Sequence, residues 1–370
     1  MKLVMAGGGT GGHLFPALAL AEEFKKKVPG VEIIFMGGKG GLEERVVPKH
    51  GYQLVVFDVE GIKRRTGLKR IKAIGKAARS TVRAIGLLRS LKPDGVIGSG
   101  SYSSAPVVMA ARLLGIKTAI LEQNALPGLT NRWLGKVVDR IYIAFDQAKG
   151  FFPPRKTLLA GNPIRREIIE GTGAGAVAVN NGHNGHKAGG RKFSVLVFGG
   201  SQGATAINAA FLDATEYLTD LWPSLRVVHQ AGEDGYQMVK ESYRRKNMKV
   251  ELHRFIDDMA AAYRSSDLVV CRAGATSIAE ITALGIAPIL IPYPFAADDH
   301  QTVNARCLEE AGAAVMIKQD RLTGSSLAGA IRALYENPSE LKSMRDKVKR
   351  FGRPQAGETI AENFLKAIKG

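Results

Sequence analysis

Asp267–Asn304 reads DLVVCRAGATSIAEITALGIAPILIPYPFAADDHQTVN. Asp267–Cys271 has the length and apolarity of a buried strand, and Ser277–Leu284 opens like a helix. Between them the small residues Ala273, Gly274 and Ala275, followed by Thr276, let a ligand approach the backbone closely. The first N–H groups of a helix have no internal partner and carry partial positive charge, so this junction suits phosphate. Glu280 falls about one turn into the helix. A carboxylate there would repel phosphate, so as a ligand it accepts hydrogen bonds from sugar hydroxyls; otherwise it is a solvated helix residue. Phosphate on backbone and a diol on carboxylate together describe a nucleotide.

Working outward, each half of the chain opens with strand, glycine turn and helix. Lys2–Ala6 leads into GGGTGGH at Gly7–His13, and Phe193–Phe198 leads into GGSQGA at Gly199–Ala204. Short apolar runs follow at Val31–Met36, Leu54–Phe57, Gly95–Ile97, Lys117–Leu121 and Arg140–Ala144. The second half continues with Leu225–His229, Val250–His253, Pro288–Ile291 and Ala314–Ile317. Strands alternating with helices predict an α/β fold of two Rossmann-like domains facing one another across a cleft. The expected domains are 1–164 and 165–353, with an amphipathic helix within 354–370 packing back on the first. The run GTGAGAVAVNNGHNGHKAGGR at 171–191 lacks a patterned apolar face and reads as a mobile linker, its two histidines incidental.

With 370 residues, 45% of them hydrophobic, two cores are expected. No apolar run approaches the ~20 residues that span a bilayer, and MKLVMAGGG has no signal-peptide h-region. Cys271 and Cys307 fit neither a disulfide framework nor a zinc site, so a cytoplasmic location is expected. A formal charge of +18 favours an anionic partner. Lys63–Lys92 holds eleven Lys or Arg and no acid, with Ile71, Ile74, Val82, Ile85 and Leu88 at roughly helical spacing. One reading faces Lys69, Arg70, Ile71, Ile74, Arg79, Val82 and Arg83 to anionic lipid; the other makes the stripe the core face of its helix. The segment has no aromatic residue, which disfavours nucleic acid.

Gly7, Gly9 and Gly12 satisfy the dinucleotide pattern G-x-G-x-x-G. That reading needs an acid at the end of the second strand, where Met36-Gly37-Gly38 stands, with Glu43 and Glu44 well past it. His13, at the helix start, has the chemistry of a general base; its alternative is a histidine bonded to nearby backbone. The adjacent pairs Asp257–Asp258 and Asp298–Asp299 do not make an Asp-x-Asp metal site, and helix capping is expected ahead of Met259. A metal-independent diphosphate site on a helix end is therefore preferred.

The ordered series GGTGGH (8–13), GSGSYSSAP (98–106), EQN (122–124), GNPIR (161–165), GGSQGA, RAGATSIAE (272–280) and DDHQTVNA (298–305) resembles the MurG family of bacterial N-acetylglucosaminyltransferases, in glycosyltransferase family 28. The resemblance spans nearly the whole chain. It implies the glycosyltransferase B fold, no cofactor, and a place at the cytoplasmic face of the bacterial plasma membrane. The implied donor is UDP-N-acetylglucosamine, and the acceptor is the undecaprenyl-diphosphate-linked muramyl pentapeptide, lipid I. Transfer to the 4-hydroxyl of the muramyl sugar inverts the anomeric centre and gives lipid II for peptidoglycan.

Carried over, Ile256 contacts uracil through its backbone and Glu280 holds the ribose. Arg165, Ser201 and Ala275, Thr276 and Ser277, with Ile278 and Ala279 beside them, surround the diphosphate or uracil. Gln301, Asn124, Thr10, Gly11 and Gly12 lie near the sugar. Gly100, Ser101, Tyr102 and Asn304 lie on the acceptor side, and His13 is the candidate base. Ser101 and Ala105 stand where the family loop usually has glycine, and Leu121 where a histidine is common. Rival readings are another enzyme of the same architecture, such as a diacylglycerol glycosyltransferase or a UDP-N-acetylglucosamine epimerase, and a non-enzymatic basic membrane- or nucleic-acid-binding protein.

Overall fold

The computed structural model describes residues 1–57, 68–171, 191–200 and 203–370, without the side chains of 68–77. Two compact units result, one of residues 1–165 with 353–370 and one of residues 166–352. The expected linker at 171–191 lies almost wholly outside the described residues.

In the first unit the strands are β1 (Lys2–Ala6), β2 (Glu32–Gly38), β3 (Gln53–Phe57), β4 (Gly95–Gly98), β5 (Lys117–Glu122), β6 (Arg140–Ile143) and β7 (Thr157–Leu159). Its helices include α1 (Gly11–Lys27), α2 (Glu43–Val46), α3 (Leu68–Leu91), α4 (Ser104–Leu113) and α5 (Leu129–Leu134). The sheet order is β3-β2-β1-β4-β5-β6-β7, with every pairing parallel. Parallel strands are covered on both faces, so they read as continuous apolar runs. On β1, Leu3 and Met5 join one core cluster with Phe24 of α1, whereas Val4 and Ala6 join another with residues of α3 and α4.

The second unit opens with α6 (Arg166–Glu170) and then repeats the plan with β8 (Phe193–Phe198), β9 (Leu225–Gln230), β10 (Glu251–His253), β11 (Leu268–Cys271), β12 (Ala287–Leu290) and β13 (Val315–Met316). Its sheet order is β10-β9-β8-β11-β12-β13, again parallel throughout. Its further helices are α7 (Thr205–Ala214), α8 (Tyr236–Arg245), α9 (Met259–Arg264), α10 (Ala275–Leu284), α11 (His300–Glu310), α12 (Gly324–Glu336) and α13 (Pro338–Lys349). In both sheets the strand order reverses beside the first strand, between β1 and β4 and between β8 and β11. The loops leaving those four strands diverge there, and such a switch point is where open α/β sheets bind ligands.

The final helix, α14 (Ala356–Lys369), returns to the first unit and packs on α1. Ile360, Ala361 and Phe364 are fully buried in the cluster that holds Leu3 and Met5. The rings of Phe24 and Phe364 meet edge to face at 6.3 Å. Gly95 makes room for this: a Cβ there would lie 2.7 Å from the Phe364 ring. At the rim Lys27 bridges Glu358 and Glu362, solvated pairs that add little to burial.

Because α14 completes the core of the first unit, Phe364→Ala should destabilise that unit by about 3–5 kcal/mol. Denaturant unfolding followed in the first unit checks this, and a loss below about 1 kcal/mol would contradict it.

Candidate active site

The turn after β11 carries the second unit's site. Helix α10 begins at Ala275, two residues earlier than the sequence suggests, so Ala275, Thr276 and Ser277 form its first turn. Gly274 precedes it in extended conformation, and among the described residues no side-chain cap is formed at this start. Thr276 Oγ1 is buried and has no hydrogen-bond partner among the described residues. Amides at a helix start beside a buried, unmatched hydroxyl are groups with which backbone can meet an anion. Glu280 is only 4% exposed, and its Oε2 accepts from the Tyr263 hydroxyl at 3.0 Å. Tyr263 is itself fully buried and packs edge to face on Phe198. The Glu280 carboxylate is thus aimed by a rigid neighbour rather than solvated.

Ile256 is buried, and its N–H is donated to Gln230 Oε1 at 2.8 Å. Gln230 in turn donates to the carbonyl of Gly200, tying the turn after β8 to the segment before α9. Gln301 Oε1 accepts from the Tyr293 N–H. Just ahead of α11, Asp298 and Asp299 both adopt left-handed backbone, φ 52° and 53°, strained for residues other than glycine. Asp258 caps α9 by accepting from Ala261 N, the capping role expected for this pair. Asn304, expected on the acceptor side, is fully buried and donates to the carbonyl of Ala273 at 3.3 Å. Through this bond it braces the turn that leads into α10. Ile278 is likewise a core residue, and Ser201 lies outside the described residues.

In the first unit, His13 occupies the third position of α1 and its Nδ1 lies 2.8 Å from the carbonyl of Ser99, at the end of β4. A carbonyl only accepts, so the bond assigns the proton to Nδ1 and the lone pair to Nε2. The same carbonyl accepts from Gln123 Nε2 at 2.8 Å, so one strand end orients both side chains. Next to Gln123, Glu122 is buried and its carboxylate accepts from Asn124 N, Gly128 N and Asn131 Nδ2. Burial pushes the Glu122 carboxyl above its usual range, against the pull of those donors. Asn124, expected near the sugar, is positioned by this carboxylate. Tyr102 stands 53% exposed in the loop after β4, and the Arg165 guanidinium lies over the Phe15 ring, 5.4 Å from its centroid.

The first glycine turn is occupied from within. Gly7 N–H goes to Met36 O, Gly8 N–H to Ser101 Oγ, and Gly9 N–H to Glu43 Oε2 at 2.7 Å. Glu43 Oε1 accepts from Gly38 N–H at 3.1 Å, and the side chain is 1% exposed. The sequence offers Glu43 only as an acid too far from β2 to hold a ribose. The glycine pairs just before it, Gly37–Gly38 and Gly40–Gly41, are the signal for a side chain folded back onto bare backbone. Glu122, Gln123, Tyr263 and Gln230 likewise carry no role in the sequence reading, although two of them lie in the quoted EQN motif.

Helix α3 shows both faces of the basic segment. Ala84 and Leu88 are buried against the sheet and Ile85 packs beside them, so this part of the stripe is core. Arg79 and Arg83 are exposed, and Val82 is 68% exposed. The side chains of Lys69, Arg70, Ile71 and Ile74 lie outside the described residues. Among those described, no helix is long and apolar enough to cross a membrane.

Residues 3–143 match the N-terminal domain of glycosyltransferase family 28, and residues 194–360 its C-terminal domain. A Myxococcus xanthus protein named UDP-N-acetylglucosamine--N-acetylmuramyl-(pentapeptide) pyrophosphoryl-undecaprenol N-acetylglucosamine transferase is 48% identical over 362 residues, 98% of this chain and 92% of that protein. A Syntrophus aciditrophicus protein of the same name is 46% identical, covering 100% of this chain and 99% of its own. The crystal structure of Acinetobacter baumannii MurG superposes with a TM-score of 0.77 at 29% identity, covering 99% of each chain.

The geometry at Ser99 makes a direct prediction about His13. Nitrogen chemical shifts of its neutral imidazole should show the proton on Nδ1; a ring protonated on Nε2 would contradict the assignment.

Proposed function

The chain belongs to glycosyltransferase family 28, and from that premise we propose that it transfers N-acetylglucosamine from UDP-N-acetylglucosamine to the 4-hydroxyl of the muramyl sugar of lipid I, with inversion. The observation that carries this reading is the start of α10. Uncapped amides and the unmatched Thr276 hydroxyl suit a diphosphate, and the Glu280 carboxylate, held by Tyr263, suits a ribose diol. Uracil is met by the backbone at Ile256; use of its N–H would take over the bond now made to Gln230. The amide nitrogen of Gln301 is the group for the sugar, since its oxygen is engaged by Tyr293.

In the reaction, His13 Nε2 accepts the proton of the 4-hydroxyl as its oxygen bonds to the anomeric carbon. The bond from that carbon to the UDP oxygen breaks, and the negative charge of the departing diphosphate falls on the amides of α10. The imidazolium keeps its Nδ1–H on the Ser99 carbonyl. Attack opposite the leaving group turns an α donor into a β product.

The acceptor is lipid-bound, which calls for a place on the cytoplasmic membrane face. Supporting it, helices α3, α4 and α5 cover one face of the first sheet, and Val82, Leu113, Leu129 and Trp133 project from them exposed. Arg79, Arg83, Arg112 and Lys136 lie close to these in sequence, so apolar contact is paired with charges for anionic lipid.

Product analysis tests the proposal: a lipid I analogue incubated with UDP-N-acetylglucosamine should gain one β-linked sugar, and an α linkage or an unmodified acceptor would contradict it. Glu280→Ala should raise the donor KM by about 10–100-fold, the loss of hydrogen bonds to a charged group. Tyr263→Phe should raise it several-fold with kcat preserved, and an unchanged donor KM in both variants would refute the ribose role.

A further inference from the structure

Glu43 is a buried carboxylate that the proposed reaction does not use. It lies in α2, 30 residues beyond His13 in sequence, yet its two oxygens take the N–H groups of Gly9 and Gly38. A Cβ built at Gly8, Gly37 or Gly41 would overlap the Glu43 side chain. Three glycines are thus explained by this one residue, without a ligand. Gly8 and Gly9 also hold φ of +154° and +84°, the latter a conformation that disfavours other residues. The Ser101 hydroxyl completes the arrangement at Gly8.

We propose that Glu43 is a positioning residue for the transfer reaction, an internal anion that seals the first glycine turn and fixes the start of α1. Gly9 stands four residues before His13, and the His13 amide is bonded to Thr10 between them. Holding Gly9 therefore sets where helix α1 begins and where the His13 ring meets the Ser99 carbonyl. The Gly7–Gly9 part of the turn is closed to phosphate, because its amides are taken by Met36, Ser101 and Glu43. This assignment rests on the transferase reading for its kinetic consequence, but not for its anion chemistry.

The test uses Glu43→Ala and Glu43→Gln in the full chain, with UDP affinity as the check that the second unit is intact. Glu43→Ala should lower kcat by about 10–100-fold with the donor KM unchanged, the scale of a misplaced catalytic group. Concentrated acetate should restore part of that rate by refilling the vacated turn. With UDP saturating the donor site and no acceptor present, inorganic pyrophosphate should bind Glu43→Ala more tightly than the parent protein. That binding needs no turnover, so it reports on the seal even if the acceptor is misassigned. A kcat within twofold of the parent, or pyrophosphate bound equally by both proteins, would overturn the proposal. If Glu43→Ala fails to fold, Glu43→Gln decides: it leaves one N–H facing an amide donor and should lower kcat, whereas parental kcat would overturn the role.

Discussion

Backbone amides at the ends of parallel strands have no partner in the sheet, and the whole design turns on what satisfies them. The two units share a strand order and settle this differently. After β11, the first amides of α10 are left uncapped beside the unmatched Thr276 hydroxyl. After β1, the glycine amides are consumed by Met36, Ser101 and Glu43. The difference lies in Glu43, which takes the Gly9 amide in the first unit, whereas the Thr276 hydroxyl in the second has no partner among the described residues. On the proposed reading, the same architecture serves a nucleotide in one unit and the placing of a histidine in the other.

Around each junction the side chains proposed for the chemistry are held by neighbouring side chains and backbone. Tyr263 aims Glu280, Gln230 ties Ile256 to Gly200, and Asn304 braces the turn above it. In the first unit, the Ser99 carbonyl orients His13 and Gln123 together, and the buried Glu122 carboxylate shapes the loop bearing Asn124. Such supports fix positions to within the tolerance that displacement chemistry requires.

The fold was legible because continuous apolar runs broken by glycine turns leave few alternatives to a parallel sheet. The RAGATSIAE turn was legible for the same reason, since strand, small residues and helix are neighbours in sequence. What escaped is tertiary. Glu43 reaches Gly9 across 34 positions, and Tyr263 reaches Glu280 across 17. Neither spacing is a motif. The burial of Asn304 also depends on which face of α11 turns inward, and its neighbours in the motif do not reveal it. The basic stripe on α3 divides by helix geometry: Val82 and Leu88, six residues apart, fall about 120° around the helix from each other, so one lies against the sheet and the other outside.

The central claim is that an acceptor hydroxyl, and nothing else, displaces UDP, whose diphosphate rests on helix amides, from its sugar. Release of UDP from UDP-N-acetylglucosamine, with and without a lipid I analogue and in excess chelator, tests it most directly. Release that depends on the acceptor and survives chelation is the predicted result. Release or epimerisation of the sugar without acceptor, or transfer abolished by the chelator, would contradict it.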